Sequence, residues 1–246
     1  MPQVPSDFPL GDRFPTTQWS RVVLAGDPKE PLARASLAEL CDAYWYPVYT
    51  FIRRRGHNAE QARDLTQDFF ARALEEGLFA EADPTRGRFR SFLRTVCAHF
   101  LTNRRDRDNA LKRGGGQMFL PIDAGDAEER YAVELADGLT PERIFDRSWA
   151  LTVLGRVLAQ LKQEYDDAGK SESFEALHSL LADSPELSSY AAVAARLGTT
   201  EGASRVAAHR LRARYGELLR REIASTLADP ADVEDEIRDL FTALDA

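Results

Sequence analysis

The 246-residue chain holds only two cysteines, two methionines and four histidines, and no apolar run approaches the ~20 residues a bilayer-crossing helix needs. Cys41 and Cys97 provide no disulfide framework, and Cys97 with His99 lacks further ligands at metal spacing. Both thiols read as small apolar groups in helices, and neither a disulfide, a metal nor another cofactor is expected. No apolar signal core follows Met1, so the chain is expected in the cytoplasm, away from membranes. Clustered carboxylates at metal spacing are missing too, and Lys112 to Gly116 (KRGGG) lacks the strand-to-helix setting of a phosphate loop. No catalytic residue is assigned, and enzyme chemistry is not expected.

Overall positive charge is also lacking: 32 Lys and Arg face 40 Asp and Glu, a net −8. That average hides a segregation. Arg86 to Arg113 holds nine basic residues against Asp106 and Asp108, and Glu201 to Arg221 holds six against two. Pro121 to Asp146 carries eight acids and two arginines, and Glu222 to Ala246 eight acids and Arg238. Two separated basic segments suggest two contacts with one polyanion, because each neutralised phosphate adds salt-dependent affinity.

The second basic segment has the clearest local pattern. Tyr190, Val193, Ala194 and Leu197 fall on one face of a short helix. Gly198 stops it, Thr199 or Thr200 caps the next helix, and Glu201 sits in that helix's first turn. Ser204, Ala208, Leu211, Tyr215 and Leu218 then form a buried stripe, opposite Arg205, Val206, His209 and Arg210. Residues 189–219 therefore describe a helix-turn-helix whose second helix can lie in a DNA major groove. The plain alternative is a helical hairpin with solvated arginines.

The rest reads as all-α. Residues 1–30 form an irregular arm with Thr16, Thr17 and Trp19 as fixed points. A first small domain, 31–110, has a helix over Leu32 to Arg55, interrupted or bent near Pro47 and stopped by Gly56. A second helix runs from Ala59 to Glu76, capped by Asn58, with Asp64, Gln67 and Asp68 outward. The loop Glu81 to Gly87 leads to a third, marked by Phe89, Phe92, Leu93, Val96, Phe100 and Leu101 and ending in Asn103 to Arg107. An acidic, flexible linker fills 111–139. Thr140 and Pro141 then start a second small domain, 140–228, with a helix packed by Ile144, Phe145, Trp149, Leu151, Leu154, Val157, Leu158 and Leu161. An acidic tail, 229–246, places Val233, Ile237, Leu240, Phe241 and Leu244 on one face; it reads as an autoinhibitory strip covering the helix-turn-helix, a polymerase or kinase docking segment, or a solvated end, and its apolar stripe favours docking inside the chain.

Two helical domains, an acidic linker, a basic helix end in the first and a helix-turn-helix in the second resemble the bacterial extracytoplasmic-function sigma factors of the sigma-70 family. The run ARDLTQDFFARA resembles region two-point-two through Ala62, Asp64, Leu65, Gln67, Asp68, Phe70, Arg72 and Ala73. Residues 88–107 are similar to regions two-point-three and two-point-four, and the helix-turn-helix to region four-point-two. The resemblance implies capture of RNA polymerase core, at its beta-prime clamp and beta flap, through Asp64, Leu65, Gln67 and Asp68. It implies minus ten recognition by Arg88, Phe89, Ser91 and Phe92, with Asn103, Arg104 and Arg107 on duplex and phosphates. Minus thirty-five recognition would fall to Thr200, Glu201, Gly202, Arg205, His209 and Arg210.

The departures are specific. Gln61 and Arg63 stand where the family commonly has acids, Thr66 where it has an aliphatic, Ser204 replaces an aliphatic, and Ala207 replaces a basic residue. The Thr-Thr-x-Trp arm, a long insertion after Tyr165 and the acidic tail also make the chain resemble groups linked to serine/threonine kinases. Phosphorylation of Thr66, with Arg63 as phosphate partner, is one expectation; a half-buried spacer is the other. The competing functional class is a stand-alone helix-turn-helix transcription regulator.

Overall fold

The computed structural model describes residues 33–75, 88–110, 127–134, 138–181, 190–227 and 229–245, the side chains of 33–39, 74, 105–110, 133, 134 and 230 excepted. The arm, the Glu81 to Gly87 loop, most of the expected linker and the side chain of Arg107 thus lie outside the described residues. Within them the chain is all-helical, with no strand.

Helix α1 (Ala33–Arg54) runs through Pro47 without interruption and ends at Gly56, whose φ of 96° needs a residue without Cβ. Helix α2 (Ala59–Glu75) starts on a reciprocal cap. Gln61 N–H donates to Asn58 Oδ1 at 2.9 Å, and Asn58 N–H to Gln61 Oε1 at 3.1 Å, satisfying two donors a helix start leaves over. Helix α3 (Phe89–Ala110) packs by its aromatics: Phe89 meets the edge of Tyr44 at 5.2 Å, and Phe100 meets Phe69 at 5.6 Å.

The expected flexible linker is different where it is described. Residues 127–134 form helix α4 (Ala127–Glu134), docked on α1 with Ala127 and Tyr131 buried. Glu128 takes a two-pronged grip from Arg53 at 2.6 and 3.1 Å and accepts from Tyr49 Oη. Tyr131 lies under Arg53 at 4.7 Å. Glu128 of this segment thus anchors a helix, which the count of charges concealed.

Helix α5 (Pro141–Asp167) begins with Thr140 accepting from Arg143 N–H at 3.3 Å and Pro141 in the first turn, where a missing N–H costs nothing. It is the central strut. Its broadest packing is with α1, Phe51 meeting Phe145 at 6.0 Å, and it also touches helix α8 (Glu201–Ser225) and helix α9 (Val233–Leu244). Buried residues from Leu40 to Leu240 therefore form one continuous core. The expected division into two small domains does not appear as a break in it, because Phe145, assigned by pattern to the second domain, packs against the first. Short helices α6 (Ser171–Leu177) and α7 (Tyr190–Arg196) complete the described chain, with 3-10 turns at His178–Leu180 and Pro230–Asp232. Among the described residues no helix is long and apolar enough to cross a membrane.

Candidate nucleic-acid interface

Helices α7 and α8 meet at Gly198, whose φ of 62° lets the chain reverse. Thr200 caps α8 by accepting from Ala203 N–H at 3.2 Å, and Thr199 N–H closes α7 on Ala194 O at 2.9 Å. The inward stripe is Ser204, Ala208, Leu211 and Leu218, all buried; Tyr215 is half-buried and its hydroxyl donates to Leu154 O at 3.3 Å. Ser204 Oγ has no hydrogen-bond partner there, a polar atom where an aliphatic would fit. Outward lie Thr200, Glu201, Gly202, Arg205, Val206, His209 and Arg210, all exposed, with Val206 at 51%. Arg205 leans back on Glu201 at 2.7 Å and over the Tyr190 ring at 5.1 Å. Among the described residues His209 and Arg210 make no hydrogen bond or ion pair. The sequence-predicted site residues of this segment are thus brought onto one open face: two donors and an apolar side chain that a major groove can accept.

The basic face of α3 is arranged otherwise. Arg88 Nε lies 2.6 Å from Glu236, and its Nη1 donates to Asp239, both on α9. Arg90, 8% exposed, is held by Glu236 at 2.8 and 3.3 Å and by Asp146 of α5 at 3.0 Å, and stacks over Trp149 at 4.6 Å. Arg94 reaches the same Asp146 at 2.8 Å. Burial works against the Arg90 charge, yet the Glu236, Asp146 and Asp239 carboxylates outweigh it and raise its pKa. The hydrogen bond and charge of Arg88 hold the Asp239 carboxyl below its ordinary value. A cleft of ≈ 250 Å³ opens at this seam, lined by Arg90, Arg143, Asp146, Asp239, Thr242 and Ala243. The tail therefore docks inside the chain, but on α3, α5 and α8 and not over the outward face of α8. Phe241, expected on its inner face, is 48% exposed.

Several expected minus ten and polymerase contacts need correction. Phe89 is a core residue, 1% exposed between Tyr44 and Phe92, and no base can stack on it. Ser91 and Asn103 are exposed, and Phe92 is half-buried. Arg104 pairs with Asp68, which also holds Arg72 at 3.2 Å, so a supposed phosphate contact and a supposed clamp contact satisfy each other. Leu65 is buried in the core and Gln67 half-buried, leaving Asp64 as the openly exposed member of that set. Thr66 is fully buried, and its hydroxyl donates to Ala62 O at 2.6 Å. No kinase reaches it unless α2 leaves the core, and Arg63, half-buried, adds to the positive potential at Glu128. Thr66 is not an accessible phosphoacceptor in this arrangement.

Sequence reasoning missed Arg90, Asp146 and Glu236. A signal existed: Glu236 falls in the α9 stripe with Val233 and Leu240, and Arg90 lies at apolar spacing with Leu93 and Cys97. A charge inside an apolar stripe asks for a buried partner. Cys41 and Cys97 are buried, and burial pushes both thiols up to about 12, far from the reactive range. No family model, curated protein or solved structure matches the chain.

Proposed function

We propose that the chain is an alternative sigma factor of the extracytoplasmic-function type, acting in the cytoplasm to bring RNA polymerase core to particular promoters. The observation that carries this reading is the open face of α8, where Arg205, Val206, His209 and Arg210 stand outward on a capped helix behind a glycine turn. The order of motifs supports the polymerase half: the Asp64 to Asp68 helix precedes a basic helix, and the helix-turn-helix follows. In this reading α8 reads the minus thirty-five element, Ser91, Phe92 and Asn103 with Arg88 meet the minus ten region, and Asp64 contacts the clamp. Phosphorylation at Thr66 forms no part of it.

One observation favours a second reading, a stand-alone duplex-binding regulator: the α8 face is open while the arginines of α3 are occupied within the chain. Gel-filtration binding to core polymerase separates the two. A sigma factor co-elutes with core enzyme and binds promoter duplex poorly alone, and Asp64→Arg weakens co-elution. A stand-alone regulator binds duplex alone and ignores core enzyme.

A further inference from the structure

We infer that helix α9 is an intramolecular stand-in for a nucleic-acid backbone, closing the basic face of α3 until the phosphates of a single DNA strand displace it. Naming a promoter strand as the natural displacing ligand rests on the function proposed above; the displacement itself does not. Glu236 and Asp239 are three residues apart on one face of α9 and present their carboxylates to Arg88 and Arg90, the geometry in which a guanidinium also takes phosphate. Among the described residues both partners of Arg88 lie on α9, so those pairs are released when the helix leaves. Arg90 and Arg94 retain Asp146 of α5 and so remain oriented.

The apolar hold centres on Leu240, fully buried, with Val233, Ile237, Ala243 and Leu244 partly buried against the core, while Phe241 faces outward. The ion pairs to Arg88 and Arg90 are the part of the docking that a stronger polyanion can take over. Residues 233–244 carry four acids against Arg238, so a strand approaching α3 repels the helix as it competes for its partners. The seam cleft beside Arg90 and Asp239 is where that competition starts.

The test uses the full chain and a fluorescent single-stranded DNA oligonucleotide of mixed sequence, titrated by anisotropy between about 50 and 200 mM salt. Glu236→Gln with Asp239→Asn is compared with wild type and with Asp232→Asn plus Asp245→Asn, which removes the same charge from exposed positions away from Arg88. Expected is binding at least about tenfold tighter than in that control, as the closed fraction disappears. The salt dependence should be steeper, because in wild type salt also loosens the closed form. Asp239→Asn alone, at a half-exposed position, should show the same direction and keeps the inference testable if the double variant does not fold. Hydrogen exchange over 233–244 should rise when oligonucleotide saturates the wild type. Equal affinity in the double variant and the charge control, or no binding by any of them, overturns the inference. Run-off transcription judges the proposed function separately. Tighter binding without transcripts leaves the inference standing and removes the sigma reading; transcripts at equal rates with equal binding do the reverse.

Discussion

The chain carries two basic helical surfaces in opposite states. On α8 the outward residues His209 and Arg210 face solvent, whereas on α3 Arg88, Arg90 and Arg94 are tied to Glu236, Asp239 and Asp146. Similar composition therefore means different things. An exposed arginine costs the fold nothing to lose and is available to a partner. A buried, paired one is part of the core, and any ligand must first outbid its carboxylates.

The largest effect that would break this contrast is in stability. Arg90→Ala leaves Glu236 buried without one of its cations and is expected to cost about 3–5 kcal/mol, while Arg210→Ala should stay within about 0.5 kcal/mol. Urea denaturation of both compares them directly. Thr66→Glu belongs with the first group: a carboxylate at a fully buried position should cost at least about 3 kcal/mol. Loss of polymerase binding in that variant would then report unfolding, which circular dichroism detects.

The contrast reverses for duplex affinity. Arg210→Ala is expected to weaken promoter duplex binding by about 1–3 kcal/mol, measured in the core-enzyme complex, with little change in melting temperature. Ser204→Ala, on the inner side of the same helix, removes an unpartnered buried hydroxyl and should stabilise by about 1 kcal/mol, read as a raised melting temperature.

The smallest effect concerns acid. Arg88 lowers the Asp239 pKa, so its docking contribution is fully present above the ordinary value of 3.8 and is lost as pH falls through the lower folded value. NMR signals of 233–244 should therefore hold steady from about pH 7 to 5 and shift toward released positions only below about pH 4.

What could be read in the sequence follows the same divide. The turn between α7 and α8 was legible because its determinants are local: a glycine at positive φ, a threonine cap and a stripe at helical spacing, though Tyr215 of that stripe is only half-buried and α8 runs on to Ser225. Asn58, Pro141 and Gly56 marked their helix ends for the same reason. The α3 surface was not legible, because its state depends on partners 52 to 151 residues away. Phe89 and Phe92 look alike in sequence; only the position of Tyr44 makes one of them core. Glu128 and Glu236 were counted among acidic segments, yet each anchors a helix through arginines that no periodicity links to it.

Run-off transcription with purified core polymerase and the full chain, on a promoter fragment selected for binding to the complex, tests the central claim most directly. Expected is a single start-site transcript that needs both core enzyme and this chain, falls with Arg210→Ala and rises with Asp239→Asn. Duplex binding by the chain alone, with no transcript under any of these conditions, would contradict it.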